Sequence, residues 1–231
     1  MTLLKILVLA AIQGAAELLP VSSSAHVIVA AKLMGLDPTM PEMTFLLIML
    51  HTGTMFAVIL YFWNSWKTSF FDSRKIFWNS ARLIVVATAI TGGIGIALKS
   101  LIERVMFRSV PHAEIELLFG NLSLIAAALA AVGILIIYAG IMGNRSKEAN
   151  ALSLREASWI GAVQGFCLPF RGFSRSGATI STGLLLGIVR TRVEEFSFAL
   201  DVVLTPPLIV REVLRLLKAQ SLNRKAPCFP Y

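Results

Sequence analysis

Residues 43–66, MTFLLIMLHTGTMFAVILYFWNSW, run for 24 positions between Glu42 and Lys67 without a charged side chain. As a helix rising about 1.5 Å per residue, such a run exceeds the roughly 30 Å hydrocarbon core of a bilayer. Outward from it lie two more uncharged runs, Leu117–Asn144 with 28 residues and Leu83–Leu98 with 16. The first is long enough to span and the second nearly so. The composition agrees: of 231 residues, 56% are hydrophobic and only 15% charged, where a soluble domain has about 45–50% and about 25%. Mean hydropathy is +0.76. The expected fold is an all-α integral membrane protein, a polytopic helix bundle, and a soluble globule is excluded.

The formal net charge of +8 does not point to nucleic acid, because the basic residues sit between apolar runs rather than along a helix face interleaved with aromatics. Lys and Arg held against anionic head groups account for it. Cys167 and Cys228 fit no metal-ligand or disulfide spacing and are read as structurally neutral. The apolar stretch after Lys5 continues through Gln13 and Glu17 without a small-residue cleavage pattern, so the N-terminus is expected to stay in the fold. Four basic residues between Trp66 and Arg82, and three between Gly143 and Glu156, favour cytoplasmic loops there. Arg211, Arg215, Lys218, Arg224 and Lys225 oppose that assignment.

Shorter apolar runs, Ile6–Ala16, Leu18–Ala31, Ala157–Phe170 and Ser176–Val189, hold 11 to 14 residues, too few to cross unaided. Segments of that length are often re-entrant or broken helices lining a covered cavity. They also repeat. Ala11-Ile12-Gln13-Gly14 returns as Ala162-Val163-Gln164-Gly165, 151 positions later, and each copy leads into a Ser-rich turn. The same offset carries residues 43–66 onto 194–217, where the apolar stretch Phe196–Leu217 lies, and carries 83–98 beyond the last residue. The expectation is one membrane domain over residues 1–231, built from two inverted-topology repeats at about 1–103 and about 155–231 with a linking membrane helix at about 117–142. Each repeat would give a re-entrant helix hairpin to a mid-membrane site. On this reading the second repeat lacks its final span and the C-terminal end is truncated.

Gln13 and Glu17, four apart, share one helix face. A carboxylate among apolar residues is costly unless it faces protein or water. Glu17 is therefore read either as a general base or as a buried carboxylate bonded to the turn that follows. Pro20 ends or kinks the helix. Ser22, Ser23 and Ser24 then offer N-cap oxygens and backbone N–H groups to a helix starting near Ala25, and any N–H groups left uncapped form an anion site. His26 lies within a helical turn of Ser22 and Ser23, which suits either a serine nucleophile with its base or a histidine bonded to a backbone carbonyl.

In the second loop Arg175 stands between Ser174 and Ser176 and beside Gly172 and Gly177. Its planar fork matches phosphate oxygens in pairs, and Thr179 adds a hydroxyl. No Walker loop is present. The structural alternative pairs Arg175 with Glu17 as an ion pair between the halves. His51 with Thr52-Gly53-Thr54 is expected to line the site, and His112 to be solvated. Pro206-Pro207 is read as a kink, and Arg190, Arg192, Glu194 and Glu195 as an interfacial charge cluster.

The string from Gln13 to His26, QGAAELLPVSSSAH, resembles the (E/Q)-x-x-x-E-(F/L)-L-P-V-S-S-(S/T)-x-H signature of the undecaprenyl-diphosphate phosphatase family, and GFSRSGAT at 172–179 resembles its P-G-x-S-R-S-x-x-T signature. Arg171 stands where that family has Pro. The resemblance implies an integral membrane hydrolase that removes the terminal phosphate of a C55 prenyl diphosphate, recycles the lipid carrier of peptidoglycan synthesis and confers bacitracin resistance. It implies a catalytic set of Glu17, Ser23, His26 and Arg175, with Gln13, Ser22, Ser174, Ser176 and Thr179 binding substrate. It further implies a divalent cation, Mg²⁺ or Ca²⁺, for which Glu17 is the one ligand in view. The polyprenyl diphosphate lipid and the membrane are the expected partners, assembly as a homodimer is left open, and nucleic acid is not expected. The implied location is the bacterial cytoplasmic (inner) membrane, with the site on its outer side. A flippase for the lipid phosphate and an inactive truncated homologue are the competing readings.

Overall fold

The structure, a computed structural model, describes residues 2–19, 21–38, 40–106, 122–143, 152–170 and 172–225. Pro20, His112, Arg171 and Cys228 lie outside them, as do residues 107–121 of the linking segment. The described residues form α1 (Leu3–Glu17), α2 (Ser23–Leu33), α3 (Pro41–Phe70), α4 (Arg74–Met106), α5 (Leu122–Met142), α6 (Leu154–Cys167), α7 (Arg175–Leu185) and α8 (Arg190–Lys225). Glu42–Phe70, Arg74–Val105 and Leu122–Met142 are each long and apolar enough to cross a membrane, so the chain is a membrane protein whose described elements are all helices. The run at 83–98 falls short of a span only in charge-free length, because its helix continues through Lys99 to Met106.

Helix lengths follow one order twice. The helices α1, α2 and α3 hold 15, 11 and 30 residues, and α6, α7 and α8 hold 14, 11 and 36. An 11-residue helix rises about 16 Å, roughly half a hydrocarbon core. Local signals set several boundaries. Pro41 opens α3, where its missing N–H costs nothing. A capping box opens α6, with Ser153 N donating to Glu156 Oε2 at 2.7 Å and Glu156 N to Ser153 Oγ at 3.4 Å. Pro206 and Pro207 do not end α8, which continues through both.

The helices α4 and α6 meet backbone to backbone. A Cβ added to Gly161 would lie 2.5 Å from the Ala87 carbonyl oxygen, and one on Gly165 would lie 2.8 Å from that of Thr91. Small residues four apart allow this backbone contact where lipid supplies no hydrophobic drive for association. Thr91 Oγ1 lies 2.9 Å from Gly161 O and 2.8 Å from Ala87 O. Gly161→Ala should therefore lower stability despite Ala's better helix propensity, by about 1–3 kcal/mol for overpacking against backbone that cannot rotate away. Thermal unfolding in detergent reads this as a fall in Tm, and an unchanged Tm would contradict so close a contact.

A second seam joins α3 to α8. Phe62 stacks on Phe198 with ring centroids 4.9 Å apart, and Trp66 Nε1 donates to the Glu195 carbonyl at 3.1 Å. Ser65 Oγ donates to the Glu195 carboxylate. Glu195 is thus buried between two helices, while its Oε2 keeps the cluster's contact with Arg192 Nη1 at 3.4 Å. Arg190 and Glu194 form the cluster's second pair at 2.7 Å. A third group, Leu9 of α1, Ile28 of α2, Leu47 of α3 and Ile125 of α5, holds the first short pair against the bundle.

Candidate active site

Both Ser-rich turns open on one cavity of about 570 Å³. Glu17, Ser22, Ser23 and Ser24 line it from the first turn, Ser174, Arg175 and Ser176 from the second, and His51 and Asp201 from α3 and α8. Apolar walls from α4 and α8 complete it, with Lys99 and Arg211 also on its lining.

The first turn departs from the expected serine cap. Ser22 is left-handed, with φ 62° and ψ 80°, and its side chain caps nothing. An N-cap hydroxyl reaches the first-turn N–H groups from an extended backbone, which Ser22 does not have. Its carbonyl instead accepts from Ala25 N at 3.1 Å and His26 N at 3.3 Å. Among the described residues no side chain caps the start of α2, so the positive end of that helix can meet an anion in the cavity. At α7 Ser174 Oγ does cap, accepting from Gly177 N at 3.1 Å. Gly172 makes that turn possible: its φ is 100°, and a Cβ there would lie 2.8 Å from the Ile125 carbonyl oxygen.

Within the cavity wall Ser23 Oγ donates to Glu17 Oε2 at 2.8 Å. Gln13 Nε2 donates to the same carboxylate oxygen at 2.5 Å and lies 3.3 Å from Ser23 Oγ. Gln13 is fully buried and Glu17 nearly so; Gln13 reaches the cavity through Glu17 and Ser23. Of the two partners within reach of Ser23 along the chain, His26 and Glu17, it is Glu17 that makes the bond. His26 is exposed, outside the cavity lining, with Nδ1 2.9 Å from the Ser22 carbonyl oxygen. A ring nitrogen at that distance from a carbonyl carries the proton, so the structure gives His26 the backbone-bonded reading rather than a bond to Ser23.

Arg175 pairs with Asp201, not with Glu17. Thr205 Oγ1 lies 3.2 Å from Asp201 Oδ1 and 2.9 Å from Asp201 O. Sequence reasoning passed over Asp201, although the signal was available: a carboxylate inside the apolar stretch Phe196–Leu217 is as costly as Glu17 in its own run. Thr179, expected to bind substrate, is fully buried and off the cavity wall. Its hydroxyl lies 2.6 Å from Ser197 Oγ and pins α7 to α8. His51 lines the cavity as expected, with Nδ1 2.7 Å from the Leu47 carbonyl oxygen.

Among the described residues no three His, Cys, Asp or Glu side chains cluster as a metal cage. A hard cation such as Mg²⁺ needs none, since it takes one or two carboxylates and fills its shell with water and substrate phosphate oxygens. Glu17, on the cavity wall with both neighbours on Oε2, fits that mode through Oε1.

A family model described as Bacitracin resistance protein BacA matches residues 6–227. Undecaprenyl-diphosphatase 2 of Acinetobacter baylyi is 62% identical over 220 residues, which cover 95% of this chain and 76% of that protein. The undecaprenyl-diphosphatase of Thermodesulfovibrio yellowstonii is 33% identical over 199 residues, covering 86% and 69%. That of Caldicellulosiruptor bescii is 32% identical over 209 residues, covering 87% and 71%. With the match spanning nearly all of the sequence and both Ser-rich turns, the chain belongs to the bacitracin resistance protein BacA family, the undecaprenyl-diphosphate phosphatases.

Proposed function

We propose that this membrane protein hydrolyses undecaprenyl diphosphate to undecaprenyl phosphate and inorganic phosphate, returning the lipid carrier to peptidoglycan synthesis and conferring bacitracin resistance. The observation that carries the site assignment is the 2.8 Å bond from Ser23 Oγ to Glu17 Oε2 in a cavity that Arg175 also lines. Glu17 takes the Ser23 proton as the serine oxygen attacks the terminal phosphorus. The bond from that phosphorus to the bridging oxygen breaks, and undecaprenyl phosphate leaves with the bridging oxygen. Glu17 passes the serine proton to the departing undecaprenyl phosphate, deprotonates the water that attacks the phosphoserine, and returns that proton to Ser23 Oγ as the bond from phosphorus to Oγ breaks and inorganic phosphate is freed.

Gln13 fixes the carboxylate from behind. Arg175 and the N-termini of α2 and α7 stabilise charge on the transferring phosphoryl oxygens. A divalent cation held by Glu17 would supply further neutralisation of phosphate charge. The two short-short-long helix series support two repeats with hairpins α1–α2 and α6–α7; on this proposal they are inverted, the hairpins are re-entrant and meet near the middle of the cytoplasmic membrane, and the cavity opens to its outer side. Phosphate release from undecaprenyl diphosphate by the detergent-purified chain tests the function. Stoichiometric release is expected, and release no faster than buffer, the result for a pure flippase, would remove it.

A further inference from the structure

The geometry points to Asp201 as the resident counter-anion of Arg175, a positioning residue that competes with phosphate for the guanidinium and drives product phosphate out. This rests on reading Arg175 as the phosphate clamp. Asp201 is paired to Arg175 with side-chain exposures of 13% and 24%, so the pair sits at the cavity wall rather than in bulk water. A guanidinium there needs an anion at all times, because a buried charge stripped of its partner is strongly destabilising. Before substrate arrives the anion is Asp201, held by Thr205 Oγ1. An arriving phosphate meets a guanidinium already partly neutralised and a carboxylate of its own sign.

The pairing therefore weakens anion binding and has its use after hydrolysis. Inorganic phosphate facing Arg175 and two helix N-termini would leave slowly, and Asp201 retaking the guanidinium shortens its stay. Asp201→Asn separates this from simple orientation. Asn keeps the shape and an oxygen to hold Arg175 and accept from Thr205, while the charge is lost.

The test is titration of inorganic phosphate into the detergent-purified 231-residue chain, followed as thermal stabilisation, with Arg175→Ala as the non-binding control. Asp201→Asn should bind phosphate about tenfold tighter, the size of one charge-assisted hydrogen bond, and lower kcat and KM together. Asp201→Glu, with the charge restored, should stay near the unaltered chain. Unchanged or weaker phosphate binding in Asp201→Asn, equal tightening in Asp201→Glu, or no phosphate binding by any form overturns the inference. Should Asp201→Asn fail to fold, Thr205→Val takes its place; tighter binding is expected, and unchanged or weaker binding overturns. Turnover is followed in the same preparation. Tighter phosphate binding without hydrolysis removes the phosphatase reading alone, while hydrolysis with unchanged phosphate binding removes this one alone.

Discussion

Arg175→Ala should lower phosphate release by about a thousandfold, on the order of 4 kcal/mol of transition-state stabilisation. Phosphoryl transfer leaves the protein little covalent work, so most of the rate comes from holding the phosphate and answering its charge. Among the described residues Arg175 is the one cation that the second Ser-rich turn presents to the cavity, and its fork can meet two phosphate oxygens at once. Arg175→Lys keeps the charge and loses the fork, so it should recover only part of the activity. Removing Arg175 also leaves Asp201 without its partner, and some loss of stability is expected. Arg175→Ala combined with Asp201→Ala relieves that unpaired charge: the double variant should unfold closer to the unaltered chain yet remain as inactive as the single one. Activity restored in the double variant would mean that Arg175 serves only to neutralise Asp201.

The membrane class and the meeting of the two Ser-rich turns were legible because each has a strong local cause. Charge-free runs of spanning length have no soluble solution, and hydroxyls around a lone Arg between glycines are costly in lipid unless they face a ligand. What the sequence left undecided was which partner each group takes. His26 and Glu17 were both within reach of Ser23 along the chain, and the choice turned on Ser22 adopting φ 62°. That left-handed residue directs its carbonyl to the His26 ring and leaves Ser23 to Glu17. No residue type announces it, since Gly is the usual occupant of that backbone region. Asp201 was hidden for the opposite reason: one acid in a long apolar stretch lowers the average little, yet it decides where Arg175 points. Thr179 looked like a ligand by sequence position, and only the packing of α7 on α8 commits its hydroxyl to Ser197.

Glu17→Gln should cost about a thousandfold in kcat, within the range for loss of a positioned general base. The replacement preserves shape and the hydrogen bond from Ser23 at this position, but a neutral amide oxygen does not take up the serine proton. Gln13 cannot substitute, because it is itself a neutral amide. Ser23→Ala then decides between two chemistries at one site. If Ser23 is the nucleophile, Ser23→Ala falls as far as Glu17→Gln, and the double variant is no slower than either single one, since groups that act as one unit are not additive. If water attacks directly, Ser23→Ala retains activity within about tenfold while Glu17→Gln still fails, because the hydroxyl then contributes only a hydrogen bond. Glu17→Gln retaining activity within tenfold of the unaltered chain would sink both routes together, since each requires the carboxylate to accept a proton. Rapid quenching of the unaltered chain adds an independent readout: acid-stable phosphoserine at Ser23 is expected on the covalent route and absent from the direct one.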